Sequence, residues 1–257
     1  MDLLQHTEVA GPAPRGRVSV VTDVSRSPVD LEVVIPAFDE EDRLEATMSG
    51  IVGALSPQPW SSRVVVVDNG STDGTSELAD RWGDRFRVQV IGCSRQGKGA
   101  AVRRGFLTSP ARWVGYCDAD GAALAKLIVP AVHLLAAGHP VVIGSYRSLP
   151  RWFRRDVGFE FFHAEQARRI VTRSHLTGPA FDLELLALAR NADVPVVELP
   201  VRWHDRHGST LRTVGDRFRA HRELWRLHIL GPEPIDVLQP APALLPPPAE
   251  GDGGGAG

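Results

Sequence analysis

The sequence contains few cysteines and no long hydrophobic run. Its two cysteines, Cys93 and Cys117, lack metal-ligand spacing and are too sparse for a disulfide-rich secreted scaffold, so we expect a reducing cytoplasm. No apolar stretch approaches the roughly 18 residues that a membrane-spanning helix requires, and no signal-peptide pattern is visible. We therefore expect a cytoplasmic protein, for which any contact with a membrane is peripheral.

The chain also lacks the excess of positive charge that nucleic-acid binding requires. Its net charge is -2 and its pI is about 6.5, so we expect no nucleic-acid partner. Nearly all of the positive charge comes from arginine, because lysine occurs only at Lys98 and Lys126. Because lysine is so rare in this chain, the lysine at position 98 points to a specific role for its side chain. The 257 residues, 43% of them hydrophobic, suit one large α/β domain or two small ones.

Strand and helix patterns alternate from residue 31 onward. This alternation predicts an α/β fold, a single domain with a mainly parallel Rossmann-like sheet and helices on both faces. We assign the domain to residues 31–230, with an amphipathic helix over 213–230, and expect disordered tails at 1–30 and 231–257. The predicted strands are 31–35, 63–67, 87–91, 113–117 and 141–143. Four helices are predicted. The first ends at about residue 55, the second begins at about residue 73, the third begins at about residue 99, and the fourth covers 123–137.

Polar residues follow three of these strands. Asp118 and Asp120 come directly after 113–117, and two carboxylates one residue apart suit Mg²⁺ or Mn²⁺ bound together with a diphosphate. The segment 68–75 offers more hydrogen-bonding side chains than a strand-to-helix turn requires. Gly97 and Gly99 flank Lys98, which lets the backbone approach an anion, although the segment is not a Walker A loop. A simple turn remains the alternative for the aspartates, and a capped turn for 68–75.

The order and density of these motifs resemble those of the family 2 nucleotide-sugar glycosyltransferases, which have the GT-A fold. The resemblance covers residues 31–212 and is closest to the polyprenyl-phosphate sugar synthases, in particular the dolichyl-phosphate glucose branch. The matching stretches are 34–41 (VIPAFDEE), 66–75 (VVDNGSTDGT), 97–105 (GKGAAVRRG), 118–120 (DAD), 144–145 (GS), 156–159 (DVGF), 181–186 (FDLELL) and 198–203 (ELPVRW).

This resemblance implies an inverting glycosyltransferase that uses Mg²⁺ or Mn²⁺. It transfers a sugar from a nucleoside-diphosphate sugar, with UDP-glucose favoured, to polyprenyl phosphate. The implied donor-binding residues are Pro36, Ala37, Glu40, Asp68, Gly97, Lys98, Asp118, Ala119 and Asp120. The implied catalytic residues are Asp118, Asp120 and Asp182, and the implied metal ligands are Asp118 and Asp120, with His204 as a candidate third ligand.

The acceptor region departs from the family pattern. Family members usually carry a segment of about a helix's length between the residues that correspond to Arg147 and Asp156, whereas only eight residues intervene here. Glu160 stands where the family typically has Lys or Arg. The arginines of 148–155 could hold the acceptor phosphate or contact an anionic membrane surface, and a solvated turn with a packed tryptophan remains the alternative. The predicted acceptor-binding residues are Arg147, Arg151, Arg154, Arg155 and Asp156.

Other functions remain open at this point. A soluble hydroxyl acceptor would require a general base, for which Asp156, Glu160 and Asp182 are the available carboxylates. The shortened acceptor region also allows a non-catalytic protein that binds sugar nucleotides. A sugar nucleotidyltransferase is disfavoured, because the first predicted strand is not followed by a glycine-rich segment with a lysine.

Overall fold

A computed structural model describes residues 29–83, 85–145, 156–178, 180–201 and 238–240 of the chain. The strands are β1 Leu31–Ala37, β2 Ser62–Asp68, β3 Val88–Gly92, β4 Trp113–Cys117, β5 Val141–Ser145, β6 Asp156–His163, β7 Val196–Pro200 and β8 Leu238–Pro240. The α-helices are α1 Glu41–Leu55, α2 Thr75–Arg81, α3 Lys98–Thr108, α4 Ile128–Ala136, α5 Ala164–Val171 and α6 Phe181–Asn191, and a 3₁₀-helix covers Ala122–Leu127. The predicted α/β fold is confirmed.

The eight strands form one sheet in the order β3-β2-β1-β4-β6-β5-β7-β8. Every neighbouring pair is parallel except those that involve β6, which is antiparallel to both β4 and β5. The carboxyl ends of β1, β2, β4, β5 and β7 therefore lie along one edge of the sheet. In open α/β sheets this edge is where ligands bind.

Both faces of the sheet are covered by helices. Alternate side chains of a strand point to opposite faces, so the four consecutive valines of β2 are shared between two cores. Val64 and Val66 belong to the core under α1 and α4, whereas Val65 and Val67 belong to the core under α3, α5 and α6. Burial on both faces explains why residues 64–67 of β2 are continuously apolar instead of alternating with polar residues.

Residues 123–137, predicted to form one α-helix, are divided between two helices of different type. The segment forms the 3₁₀-helix Ala122–Leu127 followed by α4, which begins at Ile128. Pro130 lies in the first turn of α4 and has no N–H to donate to the preceding turn, so one uninterrupted α-helix would lose a hydrogen bond there. The change of helix type precedes this proline.

The tails and the last predicted helix lie mostly outside the described residues. The helix expected over 213–230 falls entirely outside them. Within 231–257, only Leu238–Pro240 are described, and they pair in parallel with β7. The domain limits thus stay predictions. Among the described residues, no helix combines the length and the apolar character needed to cross a membrane.

Candidate active site

The predicted donor residues lie along the carboxyl edge of the sheet. Pro36 and Ala37 end β1, and Asp68 ends β2. Asp118 follows β4, and Lys98 is the first residue of α3. Parallel pairing of β2, β1 and β4 brings these positions together, as the strand-end pattern predicts.

The Asp118–Asp120 turn is held by contacts on both sides. The Asp118 amide donates to the carbonyl of Gly158 at 3.0 Å, and the hydroxyl of Thr47 in α1 donates to the carbonyl of Ala119 at 2.6 Å. Gly158 has a φ of 68°, and a Cβ at this position would overlap the Asp118 carboxylate. The close approach of β6 to the turn therefore requires glycine.

Lys98 lies between two carboxylates that are distant in the sequence. Its Nζ is 3.0 Å from Oδ1 of Asp118 and 2.8 Å from Oδ2 of Asp182. The other oxygen of Asp182 accepts a 2.6 Å hydrogen bond from the hydroxyl of Tyr116. The Asp182 side chain is 8% exposed and that of Asp118 is 27% exposed, so Asp182 anchors the lysine from inside the protein.

A second group of charges adjoins Asp120. Arg43 forms an ion pair of 2.6 Å with Glu40, and its other terminal nitrogen lies 3.9 Å from Asp120. The Glu40 amide donates to the hydroxyl of Thr75, at 2.9 Å, so α1 and α2 begin side by side. With both groups together, the edge carries four carboxylates and two cationic side chains. When all are ionised, one divalent cation neutralises the excess negative charge.

This excess negative charge affects proton binding. Burial raises the pKa of Asp118 to about 6, and Asp182 and Asp120 add to the effect while Lys98 opposes it. Burial likewise raises the pKa of Glu40 to about 7, against the lowering effect of Arg43. Both carboxyls therefore favour a partner that brings positive charge.

The two aspartates fit a divalent cation that a diphosphate also coordinates. Mg²⁺ in proteins is commonly bound by one or two carboxylates together with substrate phosphates, and Mn²⁺ accepts the same oxygen ligands. Over the described ranges, no group of three or more His, Cys, Asp or Glu side chains is arranged to hold a metal ion. Asp118 and Asp120 are thus the candidate ligands. His204 lies outside the described residues, and its role stays a prediction.

The predicted acceptor residues are only partly described. Arg147, Arg151, Arg154 and Arg155 fall outside the described residues, and Asp156 begins β6, where it pairs with Ser145. Glu160, one of the candidate bases, is fully buried in β6, with Tyr116 and Ile143 as its partners in register. Glu160 is therefore part of the interior of the sheet and not of its exposed edge.

Sequence reasoning missed four residues that organise this site. Tyr116 was included in an apolar strand, although a buried tyrosine usually needs a partner for its hydroxyl, and this could have identified it. Arg43 and Thr47 lie one turn apart on α1, and nothing in the local sequence indicates their contacts with the Asp118–Asp120 turn. Asn69 was included in the polar turn after β2, but its contacts with the segment before α3 were not predicted.

Comparisons with known proteins identify relatives that match most of this chain and most of their own length. A dolichyl-phosphate beta-glucosyltransferase from Drosophila melanogaster is 29% identical over 82% of this chain and 79% of its own. The human protein of that name is 29% identical over 77% of this chain and 74% of its own. The Dictyostelium discoideum protein is 26% identical over 79% of this chain and 76% of its own.

Solved structures support the fold, and a family model identifies the family. Glucosyl-3-phosphoglycerate synthase from Mycobacterium tuberculosis, in complex with UDP, matches with a TM-score of 0.58 and 22% identity, covering 77% of this chain and 78% of that chain. A complex of that enzyme with Mn²⁺, UDP and glucosyl-3-phosphoglycerate matches with a TM-score of 0.56 and 21% identity, covering 77% and 79%. These are GT-A glycosyltransferases, and the GT-A fold is confirmed. The model for glycosyl transferase family 2 matches residues 32–174, more than half of the chain, so the chain belongs to that family.

Proposed function

We propose that this protein transfers glucose from UDP-glucose to polyprenyl phosphate, with inversion at the anomeric carbon and with Mg²⁺ or Mn²⁺ bound. The observation that carries the proposal is the cluster of Lys98, Asp118 and Asp182 next to Asp120, at the carboxyl edge of the sheet. The cluster offers carboxylates for a cation and a lysine for a phosphate. The names of the relatives support the choice of glucose and of a polyprenyl phosphate.

Each residue has a distinct part in the proposed reaction. Asp118 and Asp120 would hold the cation, which neutralises the charge that develops on the leaving diphosphate. Lys98 would direct its ammonium toward the same phosphates once the charge of Asp118 is shared with the cation. Asp182, fixed by Tyr116, would orient Lys98 from behind.

The bond changes need no general base. An ionised phosphate oxygen of the acceptor forms a bond to the anomeric carbon, while the bond from that carbon to the β-phosphate oxygen breaks. The electron pair of the broken bond leaves with UDP. Because the attacking oxygen carries no proton, no carboxylate has to accept one.

The test is a transfer assay with a panel of radiolabelled nucleotide sugars, with and without polyprenyl phosphate. We expect label from UDP-glucose to enter the lipid extract only when polyprenyl phosphate and a divalent cation are present. Lys98→Met should abolish this transfer. Lys126→Met, at the other lysine of the chain and on an exposed position, is the matched control and should retain it. No lipid-extractable label from any donor would refute the proposal.

Asp182 also supports a second candidate, in which the acceptor is a soluble hydroxyl compound. Such an acceptor needs a general base, and Asp182 is a carboxylate within the charged cluster. In the same assay this function would give water-soluble labelled product without polyprenyl phosphate. Binding of UDP-glucose with neither product would instead indicate a non-catalytic sugar-nucleotide-binding protein.

A further inference from the structure

The side chain of Asn69 joins the turn after β2 to the segment that leads into α3. Its Nδ2 donates to the carbonyl of Arg95 at 2.7 Å and to that of Cys93 at 3.1 Å. Its Oδ1 accepts from the amide of Gly97 at 2.5 Å. One side chain thus makes contacts across the whole of segment 93–97.

These three contacts need an amide side chain. A carboxamide has two N–H donors and an acceptor oxygen on the same planar group, whereas an ionised carboxylate only accepts. Asn69 is 7% exposed, so water cannot readily replace these contacts. The two carbonyls and the one N–H that face Asn69 therefore match asparagine and not aspartate.

Segment 93–97 is also held at both ends and on its other side. At the start, the amide of Cys93 donates to the carbonyl of Asp68 at 2.8 Å. At the end, Gly97 has a φ of 116° and packs against the carbonyl of Thr177, so that a Cβ would overlap it. The amide of Gly99 donates to that carbonyl at 2.9 Å. The segment therefore has little freedom between the turn after β2 and residue 177.

Lys98 directly follows this segment and is the first residue of α3. A shift of Gly97 would move the start of the helix, and with it the ammonium that lies 3.0 Å from Asp118 and 2.8 Å from Asp182. Small displacements of a positioned group are costly in catalysis, because the reacting groups must keep a defined geometry.

We propose that Asn69 is a positioning residue for the donor site: its amide sets the path of segment 93–97 and thereby the place of Lys98. This inference rests on the proposed function, in which Lys98 contacts the donor diphosphate. It adds a residue that does not touch the reacting atoms and acts through Lys98. The three hydrogen bonds of Asn69 predict that the amide group itself is required at this position, and not only a side chain of that size.

The test compares UDP-glucose binding by the parent protein, Asn69→Asp and Asn69→Ala, measured by calorimetry with Mn²⁺ from pH 5.5 to pH 8. Asn69→Asp keeps the size of the side chain but loses both donors and places a negative charge opposite two carbonyls. We expect its affinity at pH 8 to fall by roughly tenfold or more, since a buried polar group left without a partner is costly. Asn69→Ala should lose as much.

The pH dependence separates positioning from a general packing defect. A protonated aspartic acid has one O–H donor and a carbonyl acceptor, so it restores part of the amide's contacts. The ratio of the Asn69→Asp affinity to the parent affinity should therefore rise as the pH falls, whereas the Asn69→Ala ratio should stay flat. The neighbouring titratable groups, Asp68, Cys93, Arg95 and Lys98, and the carboxyls of the site that titrate in this range, Asp118 and Glu40, are common to all three proteins, and the Asn69→Ala ratio measures what remains of their effect.

Controls distinguish this proposal from the proposed function. Asn191→Asp, the same change at the exposed end of α6, should bind UDP-glucose like the parent. If Asn69→Asp does not fold, Asn69→Ser, which keeps one hydroxyl donor, should bind more weakly than the parent with no recovery at low pH. Parent-like binding by the Asn69 variants, or a flat ratio for Asn69→Asp, overturns the positioning role alone. A parent protein that binds no nucleotide sugar overturns both proposals.

Discussion

The hydroxyl of Tyr116 donates a 2.6 Å hydrogen bond to Oδ1 of Asp182, whose other oxygen accepts from Lys98 at 2.8 Å. Tyr116 lies within β4 and Asp182 in the first turn of α6, so this bond connects the sheet to the helix behind the candidate active site. A carboxylate with both oxygens bound has one orientation, and Asp182 therefore fixes the lysine.

Tyr116→Phe should reduce turnover while leaving the protein folded. The change removes only the hydroxyl, and a hydrogen bond to a charged group contributes about 1.5–3 kcal/mol net. We expect a loss of about tenfold in kcat, which corresponds to about 1.4 kcal/mol. Phe106→Leu, a change in the same core that removes no polar contact, is the control for a packing effect. A Tyr116→Phe protein with unchanged kcat would contradict the role of the hydroxyl.

The strands β1 to β5 and the order of the edge residues could be predicted from the sequence, because both depend on local patterns. The run of valines at 64–67 indicates a buried strand, and Asp118 directly follows another apolar run. A parallel sheet then places such strand ends together without further information. Local patterns therefore suffice to predict which residues meet at the carboxyl edge of the sheet.

Contacts between distant residues could not be predicted in this way. Lys98 and Asp182 are 84 positions apart, and no local pattern relates them. The strand β6 was not assigned from the sequence, because segment 159–162 (FEFF) is short and a glutamate interrupts its phenylalanines, so its pattern does not distinguish a buried strand from a buried helix. Its insertion between β4 and β5 is what buries Glu160 and brings Gly158 against Asp118.

Replacing Asp120 by Asn should abolish cation-dependent turnover and leave the fold intact. The residue lies beyond the end of β4, and its side chain contacts Arg43 at the edge instead of the core. The neutral amide keeps the size of the side chain but binds a divalent cation less well than a carboxylate does. Transfer of labelled glucose at saturating Mn²⁺ measures the loss, and circular dichroism reports the fold. A fully active variant, or one that unfolds, would contradict the assignment of Asp120.

Cation binding should weaken as the pH falls. Burial raises the pKa of Asp118 to about 6 and that of Glu40 to about 7, and a protonated carboxyl must lose its proton before it can help to neutralise a cation. Mn²⁺ affinity should therefore decline below about pH 7, and below about pH 6, where the candidate ligand Asp118 must lose its proton, it should fall by about tenfold or more per pH unit. Calorimetric titrations from pH 5 to pH 8 in the absence of nucleotide measure this. An affinity that is constant over this range would be the contrary result.

The raised pKa values of Asp118 and Glu40 have the opposite effect on the stability of the cation-free protein, which they increase at low pH. A carboxyl with a raised pKa binds its proton more tightly in the folded state than in the unfolded chain. Its contribution to the free energy of unfolding is fully present below the ordinary pKa of about 4 and is lost as the pH rises through about 6 to 7. With EDTA present, these two groups should thus favour folding at pH 5 relative to pH 8, and saturating Mn²⁺ should remove that difference.

Gly97→Ala should destabilise the protein more than Gly92→Ala does. Gly97 has a φ of 116°, which is strained for alanine, and its Cβ would overlap the carbonyl of Thr177. Gly92, at the end of β3, has no atom within 4 Å of the position of a Cβ. We expect a loss of at least about 2 kcal/mol for Gly97→Ala and of less than about 0.5 kcal/mol for Gly92→Ala. Urea unfolding measures both, and equal effects would show that segment 93–97 adapts freely.

The last prediction concerns the acceptor. Positive charge must hold the acceptor phosphate, and the buried Glu160 cannot supply it, so we assign this role to Arg151, Arg154 and Arg155 on the basis of the sequence. Changing all three to Gln should weaken acceptor use and leave UDP-glucose binding unchanged. Each arginine near an anionic surface contributes on the order of 1 kcal/mol, so apparent acceptor affinity should fall by about two orders of magnitude at low salt.

Salt dependence and a second triple variant make this prediction specific. High salt should reduce the difference between variant and parent, because exposed charges are screened beyond about 10 Å at an ionic strength of 0.1 M. The matched control changes three exposed arginines on and near α3 and α5 to Gln, and it should use the acceptor like the parent. These arginines are Arg104, Arg169 and Arg173.

If the variant of Arg151, Arg154 and Arg155 glycosylates polyprenyl phosphate as well as the parent does, these three arginines do not bind the acceptor. If neither protein uses the lipid but a soluble hydroxyl compound is glycosylated, Asp156 and Asp182 become the first residues to test as the base, because Glu160 lies fully buried inside the sheet, whereas Asp156 begins β6 and Asp182 belongs to the charged cluster.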